Sequence, residues 1–109
     1  MSIHKANVYD MAENVLHNTR GLRFLYISAR RDNLHRLHTH CLNNVDLSTT
    51  TTLIYFTLPE GIRHLDTNAR FSGVWIDKGA ISDDDYEELV RPLNDGWAEI
   101  IDPETQELL

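Results

Sequence analysis

After Gly21 the chain runs Leu22-Arg23-Phe24-Leu25-Tyr26-Ile27-Ser28, and this stretch is apolar on both alternations. Successive side chains of a strand point to opposite faces, so Phe24 and Tyr26 share one face, with Leu25 and Ile27 on the other. A strand apolar on both faces is covered on both sides, which places it at the centre of its sheet.

Upstream, Val8, Met11, Ala12, Val15 and Leu16 recur at helical spacing and predict an amphipathic helix over residues 4–18. Downstream, Leu34, Leu37, His38, Cys41, Leu42 and Val45 share one helical stripe, with Asp32 as the expected cap. Thr49 to Leu58 is rich in β-branched and aromatic residues and reads as a strand closed by a turn at Pro59-Glu60-Gly61. Residues 62–68 read as a loop. Ala69 to Asp77 reads as a strand, with Phe71 and Trp75 on one face and Val74 and Ile76 on the other, broken by Lys78-Gly79.

Ser82 before Asp83, Asp84 and Asp85 is a clear helix start, a cap followed by acids at the positive end of the helix dipole. Tyr86, Leu89, Val90 and Leu93 supply its apolar stripe, and Asn94-Asp95-Gly96 ends it. Trp97 to Ile101 reads as the last strand, with a final turn over Glu104 to Leu109.

The predicted order is one helix followed by β-α-β-β-α-β. That order resembles the ferredoxin-like arrangement, a four-stranded antiparallel sheet with two helices on one face. The first and third strands would be its central pair. The extra N-terminal helix would cover the other face, and residues 1–109 would form a single domain.

Composition bounds the function. The chain has 109 residues, is 41% hydrophobic and carries a net charge of −7, so it can bury one modest core. No apolar run approaches a membrane span, and the N-terminus lacks the apolar region of a secretory signal. The expected location is the cytoplasm, without a membrane partner. A lone cysteine, Cys41, forms no internal disulfide.

Charge is uneven along the chain. Residues 1–40 hold six basic and three acidic side chains, and residues 41–109 hold four basic and fourteen acidic. Five of the six histidines lie in the first part. Such polarity bears on partners rather than on fold.

The chemistry-bearing motifs are sparse. His35, His38, His40 and Cys41 lie within seven residues, but on a helix His40 points about 140° away from His35, and Cys41 falls in the apolar stripe. Metal ligation is therefore not expected, and no cofactor is implied. Cys41 at a buried position reads as a small hydrophobe rather than a nucleophile. No glycine-rich phosphate loop or nucleophile elbow is present. Asp77 at a strand end and Asp83 at the next helix start are the carboxylates that a magnesium-dependent enzyme would use.

Two binding functions are weighed against that minor enzymatic alternative. The first, a non-enzymatic protein that binds and modulates a protein partner, uses the acidic face Asp83, Asp84, Asp85, Glu87 and Glu88. A basic, nucleic-acid-binding surface on the partner would suit that face. The second is an RNA-binding module, with Phe24, Tyr26, Phe71 and Trp75 as a stacking platform and Arg20, Arg23, Arg30 and Arg31 as a basic patch. The net negative charge weighs against this alternative.

Overall fold

The first helix and the two inner strands form where the sequence supplies an apolar pattern. The computed structural model describes residues 6–66 and 68–109. Helix α1 (Val8–Asn18) starts where the Asn7 side chain accepts a hydrogen bond from the Asp10 backbone N–H, and it buries Val8, Ala12, Val15 and Leu16. Residues 4 and 5 of the expected helix lie outside the described residues. Strand β1 (Arg23–Ile27) follows, then helix α2 (Arg31–Asn44) and a 3-10 turn at Leu47–Thr49. Strand β2 is Leu53–Thr57, and a 3-10 helix over Pro59–His64 leads to strand β3 (Phe71–Asp77). A short α3 (Asp83–Asp85) runs into a π turn (Tyr86–Val90) and a 3-10 turn (Arg91–Leu93), and strand β4 (Asn94–Ile101) closes the sheet.

The four strands lie in the order β2-β1-β3-β4, and every neighbouring pair is parallel. This overturns the ferredoxin-like antiparallel sheet expected from the element order. The reason lies in residues 58–70. Pro59-Glu60-Gly61 does not close a hairpin but opens the 3-10 helix, whose Ile62 is buried. That helix carries the chain across one face of the sheet, so β3 enters beside β1 in the same direction. Parallel neighbours require such crossovers.

The inner strands are β1 and β3, the pair whose apolar runs mark them as central. Both sheet faces are covered. Against one face α1 and α2 pack on Phe24, Tyr26 and Trp75. Against the other, Ile62, Val90 and Leu93 from the helical connections pack on Leu25, Ile27, Val74 and Ile76. The helices are thus divided between the faces, where the sequence reading had placed two on one face and the N-terminal helix on the other.

Four local expectations are also corrected. Phe71 and Trp75 pack in different clusters on opposite faces, so the start of β3 departs from regular alternation. Asp32 sits in the first turn of α2 and not at its cap, which is Arg30. Thr49–Thr52 precedes β2 instead of belonging to it, and Asn94-Asp95-Gly96 opens β4 rather than ending a helix. The C-terminal segment folds back through antiparallel bridges from Asn7 to Glu107 and from Ile101 to Leu108.

Among the described residues, no helix is long and apolar enough to cross a membrane.

Candidate anion-binding cleft

In an open parallel sheet, ligands sit outside the carboxyl ends of the strands, where consecutive connections leave toward opposite faces. Here the connection after β1 becomes α2 on one face, and those after β2 and β3 pass to the other. The carboxyl ends of β1 and β3 therefore form the switch point of this sheet.

A buried polar residue stands at the carboxyl end of each inner strand, Ser28 just after β1 and Asp77 as the last residue of β3. Asp77 Oδ1 accepts a hydrogen bond from the Tyr26 hydroxyl at 2.6 Å. Its Oδ2 accepts from Ser28 Oγ at 2.6 Å and from Asn33 Nδ2 at 2.9 Å. Asn33 Nδ2 also donates to the Pro103 carbonyl at 2.8 Å, tying the start of α2 to the C-terminal segment. Gln106 Nε2 donates to the Tyr26 oxygen at 3.4 Å, and the Tyr9 hydroxyl donates to Gln106 Oε1. Burial, reinforced by the hydrogen bond to Asp77, raises the Tyr26 pKa well above its ordinary value, so the phenol remains a donor. Gln106 takes a left-handed backbone conformation with φ of 59°. A non-glycine residue holds that conformation only when its surroundings fix it. Two backbone bonds do so, from the Gln106 N–H to the Asp102 carbonyl at 2.7 Å and from the Val8 N–H to the Gln106 carbonyl at 2.9 Å.

A cleft of about 530 Å³ lies next to this network and shares Asn33 with it. One wall is Ala29 to Asn33 with Arg36, and the other is Leu58 to Glu60. The first turn of α2 faces this region with no side-chain cap. Uncapped N–H groups and the helix dipole together favour an anion there. Arg30, Arg31 and Arg36 add three guanidinium groups, set against the carboxylates of Asp32 and Glu60 in the same lining. Arg30 leans toward the C-terminal segment, 3.6 Å from Glu104, while Arg31 and Arg36 have no ion pair among the described residues.

The basic patch anticipated from sequence is divided. Arg20 and Arg23 lie at the amino end of β1, roughly 16 Å from Arg30 and Arg31 along the strand axis. The aromatic set forms no open platform, since Phe24, Tyr26, Phe71 and Trp75 are all buried. The acidic residues Asp83, Asp84, Glu87 and Glu88 are exposed, on the sheet face opposite α1 and α2, and Asp85 is half-buried. Ser82 caps this turn as expected, accepting from the Asp85 N–H at 3.1 Å. Glu87 pairs with Arg91 at 2.8 Å.

The histidines do not converge. His38 packs against Phe56 with ring centroids 5.4 Å apart. His40 Nε2 lies 3.2 Å from Glu13 Oε2, without hydrogen-bond geometry. Among the described residues no three His, Cys, Asp or Glu side chains group as a metal site. Asp77 is bonded inside the molecule, whereas Asp83 faces solvent.

Arg36, Ser28, Asn33 and Gln106 were not singled out from sequence, and Asp77 was named only as a carboxylate for magnesium together with Asp83. The usable signal was Ser28 and Asp77 each ending a run of apolar residues, once the sheet is known to be parallel. Comparison of the chain with protein-family models, with curated proteins and with solved structures finds no match.

Proposed function

We propose that this protein is a small binding domain that takes an anionic, phosphate-bearing ligand at the carboxyl edge of its parallel sheet. One observation carries this reading: the loop after β1 brings the uncapped start of α2 together with Arg30, Arg31 and Arg36 around one cleft. Backbone N–H groups and arginine forks both match phosphate oxygens, and bidentate arginine contacts are among the stronger hydrogen bonds. The reading keeps Arg30 and Arg31 of the anticipated nucleic-acid patch and drops the buried aromatics. Its natural setting is an aqueous compartment, with the cytoplasm as the expected one.

Calorimetric titration with inorganic pyrophosphate tests it. Binding is expected to weaken with added salt and to fall by at least about tenfold in Arg31→Glu/Arg36→Glu, the loss of one charge-assisted contact. Equal binding by the double variant would overturn the reading.

A second reading rests on a separate observation. Asp83, Asp84, Glu87 and Glu88 are exposed together on the face opposite α2, which supports an acidic surface for a basic protein partner. A lysine-rich peptide should then bind in a salt-dependent way, and neutralising Asp84, Glu87 and Glu88 should abolish the binding. Unchanged binding by that variant would remove this reading and leave the first intact.

A further inference from the structure

Toward the other end of α2, a second hollow of about 220 Å³ lies between that helix and edge strand β2. Leu16, Cys41, Ile54 and Phe56 form its apolar lining, and Leu47 and Leu53 stand at its mouth. The hollow exists because small side chains occupy positions where larger ones would fill the core. Cys41 is the smallest of the buried apolar residues Leu37, Cys41 and Val45 along and just after α2, and the buried Thr52 lines the same hollow. Leu47 and Leu53 remain 41% and 51% exposed, so neither folds inward to close the space.

We propose that this pocket binds a small, uncharged, apolar molecule on the scale of one or two aromatic rings. Volume sets the size, since an apolar cavity of about 150 Å³ already holds benzene. The lining sets the class. It contains no Asp, Glu, Lys or Arg. Its threonine hydroxyls already take part in local bonds: Thr52 Oγ1 lies 2.7 Å from Thr19 Oγ1, and Thr50 Oγ1 accepts from the Thr52 N–H at 3.1 Å. A charged ligand would lose its hydration here with only the His38 ring to meet it, whereas an apolar one loses only unfavourable contact with water. The His38 ring, packed on Phe56, is the polar edge available to orient a ligand.

Toluene and its charged counterpart benzoate, each added to the intact protein and followed by amide and methyl NMR shifts, test the proposal. Toluene is expected to shift Leu16, Cys41, Leu47 and Ile54 saturably and to raise Tm, and benzoate to do neither. Cys41→Met, which fills the hollow, should remove the toluene response while the circular dichroism stays native. Should that variant fail to fold, Leu53→Glu places a charge at the mouth from an exposed position and should weaken toluene binding at least tenfold. An absent response, an equal response in Leu53→Glu, or a dimer that toluene dissociates would overturn the proposal. The last outcome would identify a second copy of the chain as the occupant.

Discussion

Asp77 shows how single residues hold the edge of this sheet. Its carboxylate accepts from Tyr26, Ser28 and Asn33, so removing it leaves the buried Tyr26 hydroxyl without an acceptor and takes one acceptor each from Ser28 and Asn33. A hydrogen bond to a charged group is worth about 1.5–3 kcal/mol, and unpaired buried partners add their own cost. Asp77→Ala is therefore expected to lose about 3 kcal/mol or more in urea denaturation. Tyr26→Phe, which leaves two of the donors in place, should lose about 1–2 kcal/mol. A loss below 1 kcal/mol for Asp77→Ala would show that the network does not bear on stability.

Two buried groups also set the alkaline limit. Burial raises the Cys41 thiol from 9.0 to about 11, and burial with the Asp77 hydrogen bond raises Tyr26 above its ordinary 10.0. Both pKa values are higher folded than unfolded. Their contribution is thus complete below pH 9 and is lost as pH rises, through about 11 for the thiol and higher for the phenol. The urea midpoint should fall between pH 9 and 11, and Cys41→Ala should flatten part of that fall, on the order of 2 kcal/mol. A midpoint unchanged over that range would contradict the assignment. None of these partnerships was legible in the sequence, because residues 28, 33, 77 and 106 meet only after the chain has folded.

At the scale of elements, amphipathic periodicity was legible and direction was not. The alternation in Phe24 to Ile27 and in Val74 to Ile76 marks buried strands equally well whether their neighbours run parallel or antiparallel. Direction is set by the connections, and the turn signal in Pro59-Glu60-Gly61 concealed a helical crossover. The helical stretch 83–93 shows the same limit in miniature. Ser82 and the acids announce its start, but Pro92 has no N–H to donate and cannot continue the α register. The turn widens there, with the Arg91 N–H bonding to the Tyr86 carbonyl.

The β3–β4 pairing depends on a close approach at Gly73. A Cβ at that position would meet Trp97 Cζ2 at 2.3 Å. Trp97 also packs against Phe24 and Trp75, with centroids 5.7 and 5.4 Å away. Gly73→Ala must displace that ring, which should cost about 1–3 kcal/mol and alter the near-ultraviolet circular dichroism. An unchanged tryptophan signal with wild-type stability would show that the ring is not held as described.

Across the whole molecule, the lengthwise charge asymmetry becomes a spatial one only in part. Acidic residues 83, 84, 87 and 88 gather on one sheet face, and Arg30, Arg31 and Arg36 gather at the carboxyl edge beside α2. Arg20 and Arg23 stay at the opposite edge, which is why sequence proximity overstated the basic patch. Neutralising Asp84, Glu87 and Glu88 should change stability by less than about 1 kcal/mol, since all are exposed and the Glu87–Arg91 pair is a surface pair. A larger loss would give that face a structural duty. The candidate site was half legible: Arg30 and Arg31 stood out by charge, but the cleft exists only because the sheet is parallel.

That link between topology and binding is tested most directly by mapping amide NMR shifts during a pyrophosphate titration. The account expects saturable, salt-sensitive shifts centred on Ala29, Arg30, Arg31, Asp32 and Asn33, with weaker ones at Leu58 and Glu60. Shifts centred on Arg20 and Arg23, or none at all, would contradict it.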